Sequence, residues 1–151
     1  MEATVSGPAI AAGGIFRCLV PMRWGDQDAL GHINNALYFK YVEEARALLF
    51  DKARMVLPSD RVGVLAHASC DFVKSLMYPG TVAISLILQR VGRSSMEFDF
   101  IIELENEPGT VYARGKNVIV CTDMINGRST PWTADELARF GTCFVQPEAL
   151  P

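Results

Sequence analysis

The segment from Asn35 to about Met55 is predicted to form one long helix whose apolar side is too broad for an ordinary surface helix. Its polar side is narrow and contains Lys40, Glu44 and Asp51. The opposite side carries apolar residues at helical spacing: Tyr38, Tyr41, Val42, Ala45, Leu48 and Leu49. Other parts of the chain must therefore cover this helix on most of its sides, and Asn34 or Asn35 is a suitable N-cap.

The rest of the chain has the pattern of β-strands separated by turns. Between Ser95 and Leu104 apolar and polar residues alternate, which is typical of a strand with one buried face. Extended segments are also predicted at Ile15 to Met22, Val62 to Lys74, Thr81 to Val91, Val111 to Thr122 and Arg128 to Trp132. A turn at Tyr78-Pro79-Gly80 and a two-residue hairpin signal at Asn126-Gly127 separate some of them. Thr133 and Glu136 form a capping box that starts a short terminal helix. One buried helix and several antiparallel strands predict α+β packing with the sheet curled around the helix.

Size and composition limit the classes of protein that remain. With 151 residues, half of them apolar, the chain is predicted to form a single domain over residues 15–151 after a flexible tail at 1–14. The net charge of −3 and the scattered basic residues make nucleic acid an unexpected partner. No apolar run reaches the roughly 20 residues that a membrane span needs, so we expect a soluble, cytoplasmic protein with no membrane partner.

The cysteines and histidines predict neither a disulfide framework nor a metal site. The four cysteines, Cys18, Cys70, Cys121 and Cys143, are far apart in the sequence. His32 and His67 are the only histidines. We expect the cysteines to be small buried side chains, and we expect no metal and no organic cofactor.

A dense group of polar residues lies between the first strand and the helix, where chemistry is most easily placed. Residues 23–35 read RWGDQDALGHINN and contain two aspartates, a histidine, two adjacent asparagines and two glycines. Turn geometry alone accounts for some of these residues, because Asp, Asn and Gly all favour turns. The variety of polar groups nevertheless indicates a functional site.

The segment GDQDALGHINNALYFKYVEEAR resembles the signature of hotdog-fold acyl-CoA thioesterases of the 4-hydroxybenzoyl-CoA thioesterase type. In that family an Asp-x-Asp-x-x-Gly-His-x-Asn-Asn-x-x-Tyr pattern precedes the central helix. The resemblance extends from about Phe16 to Phe140, and Val91-Gly92-Arg93-Ser94-Ser95 is similar to the family's strand connection near the coenzyme A site. It implies a hotdog fold, a long helix in a curved antiparallel sheet of five to six strands, with homodimers or homotetramers as the usual assembly.

The resemblance assigns Asp28 to the position of the family's catalytic carboxylate. Thioester hydrolysis needs a carboxylate that attacks the carbonyl carbon or deprotonates water, and a donor for the oxygen that becomes negative. The backbone N–H of Asn35, at the positive end of the helix, is the predicted donor. Asp26 is predicted to shape the loop. The side chain of His32 either contacts the substrate or holds the turn.

Other positions are predicted to bind the substrate. Gly31 allows a sharp turn or close backbone approach, and Tyr38 lines an acyl pocket unless it belongs to the core. Arg93, Ser94 and Ser95, with Arg90 nearby, offer donors for coenzyme A phosphates.

Three alternative functions remain open at this level. The acyl group could be carried on acyl carrier protein, although a weakly basic surface near Arg90 and Arg93 disfavours an acidic carrier. The fold could also catalyse hydration or dehydration of an acyl thioester, which would require a different acid and histidine arrangement. Finally, the protein could bind acyl-CoA without hydrolysing it, in which case Asp28 would not be needed.

Overall fold

A computed structural model describes residues 10–147 and contains six strands, two α-helices and one short 3-10 helix. The strands are β1 (Ile15–Pro21), β2 (Arg61–Phe72), β3 (Thr81–Val91), β4 (Ser95–Leu104), β5 (Ala113–Asp123) and β6 (Arg128–Ser129). The α-helices are α1 (Asn35–Lys52) and α2 (Ala134–Gly141), and the 3-10 helix spans Trp24–Asp26. The strands form one antiparallel sheet in the order β1-β3-β4-β5-β2, with β6 paired to β5. The predicted α+β hotdog fold is confirmed.

The sheet packs one face against α1. The alternation in β4 buries Met96, Phe98, Phe100 and Ile102 against the helix residues Tyr38, Tyr41, Val42, Ala45 and Leu49. β-Bulges between Leu65 and His67 and between Leu88 and Arg90 add local bend and twist, which curves the sheet around the helix. Leu48 was predicted on the buried side, but it is 44% exposed.

Helix α1 runs antiparallel to β2. Near the start of the helix, the rings of Tyr38 and Phe39 lie 5.0 and 6.3 Å from the ring of Phe72, at the end of β2. Near its end, Phe50 packs so closely on Gly63 that a Cβ there would lie 2.6 Å from the ring. The start of α1 therefore lies next to the end of β2, and the end of α1 lies next to the start of β2.

The two outer strands of the sheet differ in how they are covered. The edge of β1 is bridged by Val145, which pairs with Ile15. β2 pairs with β5 on one side, and over residues 10–147 no strand covers its other side. This free edge is 12 residues long and carries exposed apolar side chains, including Val64, Leu65 and Phe72. Such an edge is a template for pairing with another chain.

The predicted helix caps are confirmed, whereas one hairpin differs. The side chain of Asn34 accepts a hydrogen bond from Ala36 N–H, and Thr133 and Glu136 form the expected capping box before α2. The chain around Asn126-Gly127 forms a longer turn than the predicted two-residue loop, because Asp123 pairs with Arg128 across residues 124–127. β6 then ends at Ser129.

Of the predicted tail, residues 1–9 lie outside the described residues. Residues 10–14 pack against the sheet: Ile10 is 6% exposed, and the backbones of Gly13 and Gly14 hydrogen-bond with Leu88. All four cysteines are free. Among residues 10–147, neither α-helix has the length and apolar character needed to cross a bilayer.

Candidate active site

The polar segment before α1 folds into a tight loop, the Asp28 loop (residues 27–33). Gln27 and Ile33 are bridged at its base, and the N–H of Asp28 donates to the carbonyl of His32 at 2.7 Å. Gly31 has a φ of +78°, a left-handed conformation in which a side chain would be strained. The turn therefore requires Gly31, as the sequence predicts, and it brings Asp28 and His32 side by side.

One oxygen of the Asp28 carboxylate holds this loop together. Its Oδ1 accepts hydrogen bonds from the N–H groups of Leu30 and His32, at 2.9 and 3.2 Å. The other oxygen, Oδ2, makes no hydrogen bond with any group in residues 10–147. The residue is half-buried, and the two hydrogen bonds to Oδ1 fix the orientation of the carboxylate. Asp28 thus combines a turn role with a free carboxylate oxygen.

The start of α1 leaves one backbone donor free next to this loop. Asn34 satisfies the next two N–H groups: its Oδ1 accepts from Ala36 at 2.9 Å and its carbonyl from Leu37 at 2.8 Å. The N–H of Asn35 makes no hydrogen bond with the described part of the chain. The unpaired donor at the positive end of a helix favours a negatively charged oxygen.

Asp26 is buried and structural, as the sequence predicts. Only 3% of it is exposed, and its Oδ2 accepts hydrogen bonds from the N–H of Arg23 at 2.9 Å and from the hydroxyl of Tyr41 at 2.8 Å. Its carbonyl accepts from the N–H of Asn34. Burial and the contact with Asp26 raise the pKa of Tyr41, so its hydroxyl remains a donor. These contacts hold the start of α1 against the loop.

The variant Tyr41→Phe is expected to lower the free energy of unfolding by about 1.5–3 kcal/mol, because a buried carboxylate loses a hydrogen bond. Urea denaturation measures the change. Tyr78→Phe, at an exposed tyrosine, serves as the matched control and should change stability by less than about 0.5 kcal/mol. Equal stability of the two variants would show that Asp26 does not depend on Tyr41.

His32 is half-buried, and its backbone forms both loop hydrogen bonds with Asp28. Its imidazole makes no hydrogen bond within residues 10–147. The ring is thus not needed as a hydrogen-bonding partner in the turn. Its predicted contact with the substrate stays a prediction.

Tyr38 belongs to the core, the alternative that the sequence left open, and its contact with an acyl group stays a prediction. It is 2% exposed, and its hydroxyl accepts from the N–H of Leu76 at 2.9 Å and donates to the carbonyl of Lys74 at 3.3 Å. Its ring packs against Phe72. The hydroxyl and the ring of Tyr38 are therefore both used in contacts within the core.

Within one chain, Arg93, Ser94 and Ser95 lie far from Asp28. Arg93 and Ser94 lie in the connection from β3 to β4, and Ser95 begins β4. The carbonyls of Arg93 and Ser94 accept hydrogen bonds from the N–H groups of Trp132 and Cys121. The Asp28 loop lies at the other end of the sheet, where Ile33 N–H donates to Leu76 and Met22 N–H to Gly80, next to the start of β3. A strand of this length separates the two groups by roughly 30 Å. A single chain therefore does not bring the predicted substrate-binding residues to the predicted catalytic ones.

A cavity of about 550 Å³ lies between the second half of α1 and the start of β2. Most of its lining residues are apolar, including Ala47, Phe50, Met55 and Leu57, and the acidic residues Glu43 and Asp51 also line it. Arg46 also lines it, and its Nη1 donates to Oδ1 of the buried Asn117 at 2.5 Å. Neither Arg46 nor Asn117 is predicted from the sequence to be a functional residue. The only signal for Asn117 is its polar side chain on the apolar face of β5.

Known proteins match both the sequence and the fold. The family model of the Thioesterase-like superfamily matches residues 22–140. The YsmA protein of Bacillus subtilis is 31% identical over 119 residues, which cover 78% of this chain and 79% of that protein. The crystallised PA2801 protein of Pseudomonas aeruginosa, a thioesterase candidate, is 32% identical with a TM-score of 0.76, over 78% of this chain and 92% of that one.

A more distant structure shares the fold alone. Slr0204 of Synechocystis, a 1,4-dihydroxy-2-naphthoyl-CoA thioesterase, is 18% identical with a TM-score of 0.75 over 84% of this chain and 96% of that one.

The helix-wrapping sheet and the matching family model define a thioester hydrolase with the hotdog fold. The chain belongs to the Thioesterase-like superfamily.

Proposed function

We propose that the protein hydrolyses acyl-coenzyme A thioesters to a carboxylic acid and free coenzyme A, with Asp28 as nucleophile or general base. The observation that carries this proposal is the free Oδ2 of Asp28 in a loop directly before the unpaired N–H of Asn35. An acyl-CoA thioesterase candidate from Xanthomonas campestris, 30% identical with a TM-score of 0.69 over 77% of this chain and 97% of that one, supports coenzyme A as the carrier.

The chemistry uses both groups. The thioester carbonyl oxygen accepts from the N–H of Asn35, so negative charge that develops on it is stabilised by the donor and the helix dipole. Asp28 then either attacks the carbonyl carbon, expelling the thiolate and forming an anhydride that water hydrolyses, or removes a proton from the attacking water. Both routes consume one water and release one acid and one thiol. No metal or organic cofactor takes part.

The protein is proposed to act as a homodimer whose β2 strands pair antiparallel about their midpoints. The free edge of β2 offers unpaired backbone groups and exposed apolar side chains, including Leu65 and Phe72, over 12 residues. A two-fold axis at its centre gives a self-complementary interface. Pairing of two such dimers into a tetramer is a second possible assembly.

The two-fold symmetry brings together the Asp28 loop of one subunit and the connection at residues 92–95 of the partner subunit, which lie far apart within one chain. The Asp28 loop lies at the end of β2 where Phe72 meets α1, and the connection at residues 92–95 lies at the end where β2 starts. Antiparallel pairing exchanges these ends, so Asp28 approaches Arg93, Ser94 and Ser95 of the partner subunit. Arg93 with its neighbouring hydroxyls is proposed to bind the coenzyme A phosphates there.

We propose that residues 15–151 form the single domain that the sequence predicts. One sheet and one hydrophobic cluster connect the described elements, and that cluster extends from Ile10 to Phe144.

Turnover of one acyl group on two carriers tests the proposal. We expect release of free thiol from the coenzyme A ester and much slower release from the same group on acyl carrier protein, because an acidic carrier requires a strongly basic docking surface. A thiol reagent follows the coenzyme A reaction, and mass spectrometry follows both. Faster hydrolysis of the carrier protein ester would identify the alternative substrate, and a range of chain lengths would then define the acyl group.

A further inference from the structure

We infer that the cavity between α1 and β2 binds the acyl group, and that Arg46 selects acyl chains whose far end carries a carboxylate. This inference rests on the proposed function, because the ligand is the acyl part of the proposed substrate.

The guanidinium of Arg46 is held in a fixed orientation by a buried partner. Asn117 is 1% exposed, and its Oδ1 accepts from Nη1 of Arg46 while its Nδ2 donates to the carbonyl of Lys116 at 2.9 Å. The asparagine is thereby fixed on both sides. Arginine has five N–H donors, and only this one is used within residues 10–147. The remaining donors are available to a ligand in the cavity that Arg46 lines.

No carboxylate in the described part of the chain lies within ion-pair distance of Arg46. Two acidic residues also line the cavity: Glu43, which is paired with Lys40 at 2.6 Å, and Asp51. Burial lowers the pKa of Arg46 below its usual value, although the charge of Glu43 partly opposes this. A partly desolvated cation without an ionic partner is costly, and a bound carboxylate that accepts two parallel hydrogen bonds from the guanidinium would offset this cost.

The apolar part of the cavity lining suits an aliphatic or aromatic chain. Its volume of about 550 Å³ is in the range of pockets that hold small ligands. Ala47, Phe50, Met55 and Leu57 present apolar surface around Arg46. In the proposed dimer the start of α1 of the partner subunit faces this region, because antiparallel pairing brings the Phe72 end of one β2 to the Gly63 end of the other. The thioester would lie at that helix start, and the acyl chain would extend to Arg46.

The experiment compares two coenzyme A esters of equal chain length, one ending in a carboxylate and the other in a methyl group. We expect the wild-type protein to prefer the carboxylate ester by about tenfold or more in kcat/KM, the size typical of a charged hydrogen-bonded contact. Arg46→Met should reduce this ratio to about one, and Arg46→Lys should give an intermediate ratio, because a lysine keeps the charge without the planar fork. Arg128→Met, at an exposed position on β6, is the matched control and should keep the wild-type ratio.

Circular dichroism establishes whether each variant is folded. If Arg46→Met does not fold, the ratio measured for Arg46→Lys decides the inference. A wild-type ratio near one would overturn the inference and leave the proposed function intact. If neither ester is hydrolysed, the proposed function fails, and calorimetry with the same two esters decides the inference separately. Tighter binding of the carboxylate ester that is lost in Arg46→Lys or Arg46→Met supports carboxylate selection, and equal dissociation constants overturn it.

Discussion

The variant Asp28→Asn is expected to lower kcat for acyl-CoA hydrolysis by about a hundred- to ten-thousandfold, the range for loss of a positioned acid–base group. The fold should be retained, because an asparagine oxygen can accept the same hydrogen bonds from the N–H groups of Leu30 and His32. The substitution removes the negative charge and replaces the reactive oxygen Oδ2 with an amide nitrogen. Thiol release at saturating substrate measures kcat, and urea denaturation should show a stability change below about 1 kcal/mol.

Two further variants separate the roles of this side chain. Asp28→Ala removes the loop acceptor as well, so it should be as inactive as Asp28→Asn and measurably less stable. Asp60→Asn, at an exposed aspartate far from the loop, is the matched control and should retain wild-type turnover. Wild-type kcat in the Asp28→Asn protein would eliminate Asp28 as nucleophile and as general base, and would leave it only the turn role.

Mixing two impaired variants, Asp28→Asn and Arg93→Ala, is expected to restore activity if the site is shared between subunits. A heterodimer of Asp28→Asn and Arg93→Ala chains has one site with both substitutions and one site with neither, because Asp28 of one subunit works with Arg93 of the partner. Random exchange makes half of the dimers mixed, so activity should reach about a quarter of the wild-type value. The assay uses substrate below KM, where a weakened coenzyme A contact has its full effect.

The same mixture distinguishes a site shared between subunits from a site formed within one chain. If Asp28 and Arg93 acted within one chain, each site in the mixture would retain one defect and no activity would return. A mixture of Asp28→Asn with Asp28→Ala chains is the matched control, since every site then lacks the carboxylate. Sedimentation velocity on the wild-type protein checks the assembly, and a monomer at assay concentration would contradict the shared site.

The elements that the sequence predicts correctly are those set by local rules. Asn34 and Thr133 cap helices because a side-chain oxygen reaches an N–H two or three residues away. Ser95 to Leu104 alternates between one buried face and one more exposed face, so its bounds as a strand are also visible in the sequence. The Asp28 loop follows the same rule, because its turn depends on Gly31 and on hydrogen bonds across four residues.

Contacts between distant parts of the chain explain what the sequence does not predict. The hydroxyl of Tyr38 binds the backbone near Leu76, which lies 38 residues further on. Arg46 has the pattern of a surface residue, yet it meets Asn117 at a separation of 71 residues. The distance between Arg93 and Asp28 depends on strand order. Strand order arises from tertiary packing, which helix and strand periodicity do not encode.

The hydrogen bonds of Arg139 affect the position of helix α1, whose opposite end lies at the candidate active site. Its Nη1 donates to the carbonyls of Ala53 and Arg54, at 2.7 and 2.8 Å, and so ties α2 to the C-terminal end of α1. The other end of α1 is fastened by Tyr41 to Asp26. Hydrogen bonds thus hold α1 to other elements near both of its ends. The free N–H of Asn35 therefore keeps its position relative to Asp28 before any substrate arrives, and part of that alignment is set a full helix length away from the reacting atoms.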